Sequence, residues 1–162
     1  RAWSSDVCSS DLGCATSTGA AGDGPGDPVS TTNPALDFVA TDLEGAPITG
    51  VDGPTVLWFW APWCPICRGE APVIAGAVTD NPEVTFLGVA GRDELAAIEE
   101  FPAETGTDNF RHVPDLDGTI WASFGVTSQP AMALITPDGT VKVITGAMSP
   151  QDVQDKIDTY LG

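Results

Sequence analysis

The chain has 162 residues, 42% of them hydrophobic, and a formal net charge of −17 from 6 basic and 23 acidic residues. This length accommodates one domain with a sizeable core and a tail. The acidity excludes the basic footprint of a nucleic-acid binder and a polybasic patch for anionic lipid, and no apolar run approaches the roughly 20 residues of a membrane span.

Residues 1–12, RAWSSDVCSSDL, do not read as protein. They resemble the translated sequencing-adapter DNA that recurs in metagenomic gene models, and they are set aside from fold reasoning. Cys8 then carries no function; the competing reading is a genuine disordered start. Residues 13–33 are rich in Gly, Ala, Asp and Pro, a composition that cannot bury a core and reads as a flexible tether. Gly13-Cys14 followed by small polar residues resembles the end of a bacterial lipoprotein signal, which implies lipidation at Cys14. Asp11 stands where such a signal carries an aliphatic residue, and a lone tail thiol is the alternative.

The folded domain is expected over 34–162. Leu36, Phe38 and Ala40 alternate with polar neighbours and predict a strand. Leu43-Glu44-Gly45-Ala46 is a turn, Ile48 starts a short partner strand, and Gly53-Pro54 punctuates the chain. Thr55 to Trp60 is an uncharged run of β-branched and aromatic residues, the pattern of a buried strand.

That run ends in Ala61-Pro62-Trp63 and passes into Cys64-Pro65-Ile66-Cys67. Pro65 suits the first helical position, where its missing N–H costs nothing. Cys64 therefore falls at a helix N-terminus and Cys67 one turn further in. Unpaired N–H groups and the positive end of the helix dipole favour a thiolate there; cysteines so placed fall from about 8.5 to roughly 3.5–7.5 in pKa. Only the thiolate attacks a disulfide. Cys64 reads as the nucleophile, reachable from solvent, and Cys67 as the more buried resolving thiol. Two blander readings compete. One is a stabilising disulfide, although so short a loop yields only about 2 kcal/mol. The other is half a zinc site, for which the sequence offers only tail cysteines and His112 as further ligands; no metal is expected.

Glu70, Val73, Ile74, Ala77 and Val78 then recur at three- and four-residue spacing, so one helix face is largely apolar. Pro72 inside it is expected to kink the helix, and Asn81-Pro82 ends it. Val84 to Ala90 reads as a second buried strand and Asp93 to Phe101 as a polar helix. Phe110, His112 and Val113 suggest a short strand. Asp115-Leu116-Asp117-Gly118 is a turn that lacks the sharp-turn glycine of a calcium loop, Ile120 standing in its place. A short helical piece runs from Ile120 to Phe124. Ala131 to Thr136 and Thr140 to Thr145 make a hairpin around Pro137-Asp138-Gly139. Ser149 caps a last helix that starts at Pro150, with Val153, Ile157 and Tyr160 facing inward. Strands separated by helices pair in parallel and the hairpin adds antiparallel strands. The expected architecture is α/β, a mixed sheet with helices on both faces, and the CxxC at the carboxyl end of its first buried strand.

Trp60-Ala61-Pro62-Trp63-Cys64-Pro65-Ile66-Cys67 resembles the signature of the thioredoxin-like superfamily, a three-layer fold. Arg68-Gly69-Glu70-Ala71-Pro72 is similar to its TlpA/ResA/DsbE branch, where Glu-x-Pro follows the CxxC. The longer run, with NPEVTFLGVA, DLDGTIWASFGV and QPA, looks most like the secreted and lipoprotein DsbE/DsbF-like proteins of actinobacteria. The resemblance covers Leu36 to Leu161. It implies that Cys64 and Cys67 form the redox pair, with no other cofactor, and that Pro130 is a cis-proline facing them. It also implies that Trp63, Pro65, Ile66, Gln129 and Pro130 meet the substrate, the Gln129 backbone pairing with an incoming polypeptide. Glu70 matches the branch's acid and is a candidate proton relay one turn from Cys67; a solvated helix glutamate is the plain alternative. Thioredoxins proper carry a buried acid two residues before the first tryptophan of the motif; here Trp58 stands there, so proton handling falls to Glu70 or water.

The expected function is extracytoplasmic thiol–disulfide exchange, secreted or anchored to the outer face of the cell membrane. Resemblance tips it towards oxidation or isomerisation of disulfides in secreted or envelope proteins, with a membrane redox partner, a monomeric state and membrane contact only through a lipid anchor. The alternative is a reductase in cytochrome c maturation, as in the ResA and CcmG relatives. A thiol peroxidase would need a Thr and an Arg near its reactive cysteine; Arg68 is present, but a tryptophan and prolines stand before Cys64 instead of that pattern. A non-enzymatic envelope lipoprotein would be indifferent to loss of Cys64.

Overall fold

A computed structural model describes residues 33–51 and 53–162. The readings placed on residues 1–12, on Cys8 and on Cys14 in the proposed tether lie outside the described residues. Asn33 and Pro34 open the described part with a 3-10 turn, Pro34–Leu36; the Asn33 side chain accepts from the Ala35 N–H. The expected strand through Leu36 is therefore confined to β1, Val39–Thr41, which pairs antiparallel with β2, Pro47–Thr49. Asn33 and Pro34 favour a cap and a first helical position, and Leu36 is buried from the turn rather than from a strand.

The main sheet contains β3 (Thr55–Trp60), β4 (Thr85–Ala90), β5 (Arg111–Pro114), β6 (Ala131–Ile135) and β7 (Val141–Thr145) in the order β5-β4-β3-β6-β7. The pairs β3–β4 and β4–β5 are parallel, while β3–β6 and β6–β7 are antiparallel. The helices are α1 (Pro65–Asp80), α2 (Leu95–Thr105), α3 (Thr119–Ser123) and α4 (Pro150–Tyr160). This is the thioredoxin-like α/β arrangement expected from the sequence. The second helix starts two residues later than the sequence suggests and runs on through Pro102. Pro72 is likewise accommodated within one continuous helix.

Every residue of β3 is buried, and successive side chains serve opposite faces of the sheet. Val56, Trp58 and Trp60 join Ile74 of α1, Phe101 of α2 and Val153 of α4 on one side. Leu57 and Phe59 join Leu36, Ile48 and Trp121 of α3 on the other. Fully burying side chains of this size stabilises by about 2–3 kcal/mol each before entropy is counted, so β3 is the strand about which both layers close. Asn81, at the end of α1, exchanges two side-chain hydrogen bonds with Gln154 of α4, of 3.0 and 3.1 Å. Asp42, after β1, accepts from Arg111 Nε at 2.6 Å and ties the small hairpin to β5.

Gly88, in the middle of β4, is needed for space. A Cβ there would overlap the ring of His112 and lie 2.9 Å from Trp60 Nε1. The absent side chain lets those two rings meet beneath the carboxyl end of β3.

Candidate active site

The site begins where β3 runs out. Cys64 is the N-cap of α1, with extended φ −81° and ψ 109°, and its sulfur accepts from the Cys67 N–H at 3.1 Å. Pro65 occupies the start of the helix, as its fixed φ favours. Cys64 and Cys67 are joined as a disulfide with their Cα atoms 5.3 Å apart. One helical turn is the spacing that lets both sulfurs meet while the first still caps the helix.

The order of exposure agrees with the sequence, but its degree does not. Cys67 is 0% exposed and Cys64 only 3%, whereas the sequence reading has Cys64 open to solvent. The sulfur turns back over the first helical turn, towards the N–H of Cys67 and the bond to its partner. The rim is open instead: Trp63 and Ile66 are 55% and 59% exposed, and Pro65 is exposed as well.

The peptide bond between Gln129 and Pro130 is cis, as the resemblance implies. Phe59 pairs with Ala131 in the β3–β6 ladder. Extending that register by one residue sets Pro130 beside Trp60, at the edge of the segment leading to Cys64. Gly146 N–H donates to the Pro130 carbonyl at 2.9 Å. The Gln129 side-chain oxygen is buried with no hydrogen-bond partner among the described residues.

Glu70 is the acid in the interior. It shares the buried face of α1 with Cys67, Ala71, Ile74 and Ala77. Trp58 Nε1 donates to one carboxylate oxygen at 2.8 Å and Met148 N–H to the other at 2.7 Å. The solvated-helix alternative is thereby overturned. Burial pushes the Glu70 carboxyl above the usual range, and the hydrogen bonds from Met148 and Trp58 offset only part of that push. Trp58 occupies the strand position where thioredoxins proper carry an acid, and it holds a carboxylate supplied by the helix instead.

Below the CxxC lies a stack that the sequence reading leaves largely unassigned. Trp60 packs on Phe101 with ring centroids 4.0 Å apart, and the guanidinium carbon of Arg68 stands 5.1 Å above Phe101. Arg68 also donates from Nε to the Pro62 carbonyl at 2.9 Å and pairs with Glu104 at 2.9 Å, so the loop before Cys64 is fastened to α2. His112 is buried; its Nδ1 accepts from Trp60 Nε1 at 3.2 Å and its Nε2 donates to the Thr107 carbonyl at 2.7 Å. Burial lowers the His112 pKa to about 4, against a smaller upward pull from the Thr107 carbonyl and the Asp108 charge. No local pattern marks the stack, because Trp60 and Arg68 meet Phe101, Glu104 and His112 from far along the chain.

A model of the AhpC/TSA family matches residues 31–144. The chain belongs to the AhpC/TSA family. This AhpC/TSA chain is 41% identical over 128 residues to the soluble secreted antigen MPT53 of Mycobacterium tuberculosis, covering 75% of the chain and 73% of the antigen. It is 31% identical over 137 residues to the thiol-disulfide oxidoreductase ResA of Geobacillus thermodenitrificans, covering 81% of the chain and 78% of ResA. The solved structure of MTB DsbF, in mixed oxidised and reduced forms, superposes with a TM-score of 0.77 at 44% identity, over 80% of this chain and 98% of that one. With the thioredoxin-like fold and the bonded Cys64–Cys67 pair in place, thiol–disulfide exchange is the activity of this AhpC/TSA chain.

Proposed function

We propose that the chain acts outside the cytoplasm and passes its Cys64–Cys67 disulfide to secreted or envelope polypeptides, or reshuffles theirs. The observation that carries this is a disulfide at a helix N-cap whose outer sulfur already accepts the Cys67 N–H. A substrate thiolate attacks Cys64; the bond to Cys67 breaks and Cys67 leaves with the electron pair. A second substrate thiolate then attacks its own sulfur in the mixed disulfide and Cys64 departs. The substrate loses two electrons as its disulfide forms and the chain gains them as two thiols. In isomerisation the reduced Cys64 makes the first attack, and Cys67 can release the substrate.

Cys64 is assigned as attacking and attacked sulfur because it caps the helix and is the less enclosed of the pair. Glu70 is assigned as the proton store for Cys67, which leaves from a closed interior on the same helix face. A buried carboxyl with a raised pKa holds a proton nearer to neutral pH than a surface one does. Trp63, Pro65 and Ile66 form the rim, and the Gln129–Pro130 edge receives the incoming backbone. The secreted relative MPT53 supports the placement outside the cytoplasm; the resemblance to ResA supports the competing reductase role.

Both parts meet in one measurement, the reduction potential against glutathione as a function of pH. A value of about −120 to −180 mV is expected for an oxidant or isomerase, and one below about −250 mV would establish a reductant. In the parent chain the slope against pH should bend where Glu70 titrates. In Glu70→Gln that bend should vanish; if it persists, Glu70 holds no coupled proton.

A further inference from the structure

Arg92, on the loop after β4, is the only non-glycine residue with a left-handed backbone among the described residues, at φ 63°. Such a conformation disfavours any residue with a Cβ, and an observed outlier of this kind directs attention to what the residue holds. The Arg92 carbonyl accepts from Trp63 Nε1 at 2.9 Å. Its guanidinium donates to the Thr127 carbonyl, and its central carbon lies 5.1 Å from the centre of the Trp121 ring. Among the described residues no carboxylate pairs with it.

Trp63 adjoins Cys64, and Thr127 lies three residues before Pro130. One residue therefore ties the CxxC rim, by its backbone, to the stem of the cis-proline segment, by its side chain. The left-handed turn sends the carbonyl to one segment while the guanidinium reaches the other. Arg92, Trp121 and Thr127 also share the wall of a cavity of about 460 Å³, so a segment released from the guanidinium has space to move into.

We propose that Arg92 is a positioning residue that holds residues 127–130 at a set distance from Trp63, and so makes Cys64 selective for polypeptides over small thiols. This rests on the reading that an incoming chain pairs along Gln129. A polypeptide needs a preformed backbone edge, and leaving that edge mobile costs binding. A small thiol needs only the sulfur.

The test follows the oxidised chain reacting with an unfolded, reduced cysteine-containing polypeptide and, separately, with dithiothreitol. Arg92→Gly keeps the left-handed turn and the carbonyl for Trp63 but removes the guanidinium. Its KM for the polypeptide should rise roughly tenfold, the loss equivalent to one charge-assisted hydrogen bond. The kcat and the dithiothreitol rate should stay within about twofold. Arg92→Lys, which keeps a cationic donor, should recover part of the KM. Equal slowing with both partners, or no change with either, overturns the proposal. A parent chain that shows no preference for the polypeptide overturns the polypeptide reading itself, and this inference with it.

Discussion

Replacing Cys64 with serine is expected to lower exchange by more than about 10³-fold, because a hydroxyl can neither be attacked to form a disulfide nor attack one. The fold should survive. Cys64 sits at an N-cap and accepts from the Cys67 N–H, a task serine performs well. Loss of so short a disulfide loop costs little chain entropy, about 2 kcal/mol. Cys67→Ala separates the two sulfurs. The reduced variant should still attack a disulfide-bearing polypeptide, then stall as a mixed disulfide through Cys64, visible as a covalent adduct on a non-reducing gel. Alanine is the right replacement, since Cys67 is wholly buried and a serine hydroxyl there would lack solvent. An adduct through Cys67 in Cys64→Ser, with none in Cys67→Ala, would reverse the assignment of roles.

The second large effect concerns acid. His112 is held neutral by burial, against the smaller upward pull of the Thr107 carbonyl: Nε2 donates to that carbonyl, and Nδ1 must stay bare to accept from Trp60. Protonation would set an N–H on Nδ1 against the Trp60 N–H in a closed interior. The folded pKa of about 4 lies below the unfolded value near 6.5. Between those values the unfolded chain binds the extra proton, so stability is complete above pH 6.5 and falls as the pH drops to 4. The loss is about 3 kcal/mol. Glu70 and Asp115, whose carboxyls are both pushed up first by burial, act in the opposite direction as they protonate. The informative comparison is therefore with His112→Gln, which offers one acceptor and one donor but takes up no proton here. Urea unfolding at pH 7 and pH 4.5 should show the parent losing at least about 2 kcal/mol more than the variant. Equal losses would remove His112 as the cause. Because Trp60 begins the segment leading to Cys64, activity should decline over the same interval.

The parts of this site that are legible in the sequence are those whose cause is local. The apolar run of β3, Pro65 after Cys64, and Ser149 with Pro150 at α4 each announce themselves within a few residues, and the helices and strands lie close to where those signals place them. The cis-proline is reached only through resemblance. The turn at Pro34–Leu36 is missed because Leu36, Phe38 and Ala40 alternate like a strand while Asn33 and Pro34 supply a cap. The burial of Glu70 is invisible locally, since its partners are a tryptophan on β3 and the backbone of Met148 before α4. His112 and Arg92 are illegible for the same reason: their meaning depends on Trp60, Trp63 and Thr127 arriving from other parts of the chain. The enclosure of Cys64, within the buried cluster that also holds Phe101 and Met132, has no local mark in the sequence.

The most direct measurement is alkylation of the fully reduced chain with limiting iodoacetamide at pH 6, followed by peptide mapping. Cys64 should take the label ahead of Cys67, which stays unmodified while the fold is intact. Labelling of Cys67 first, or of both at one slow rate that only unfolding accelerates, would contradict that order.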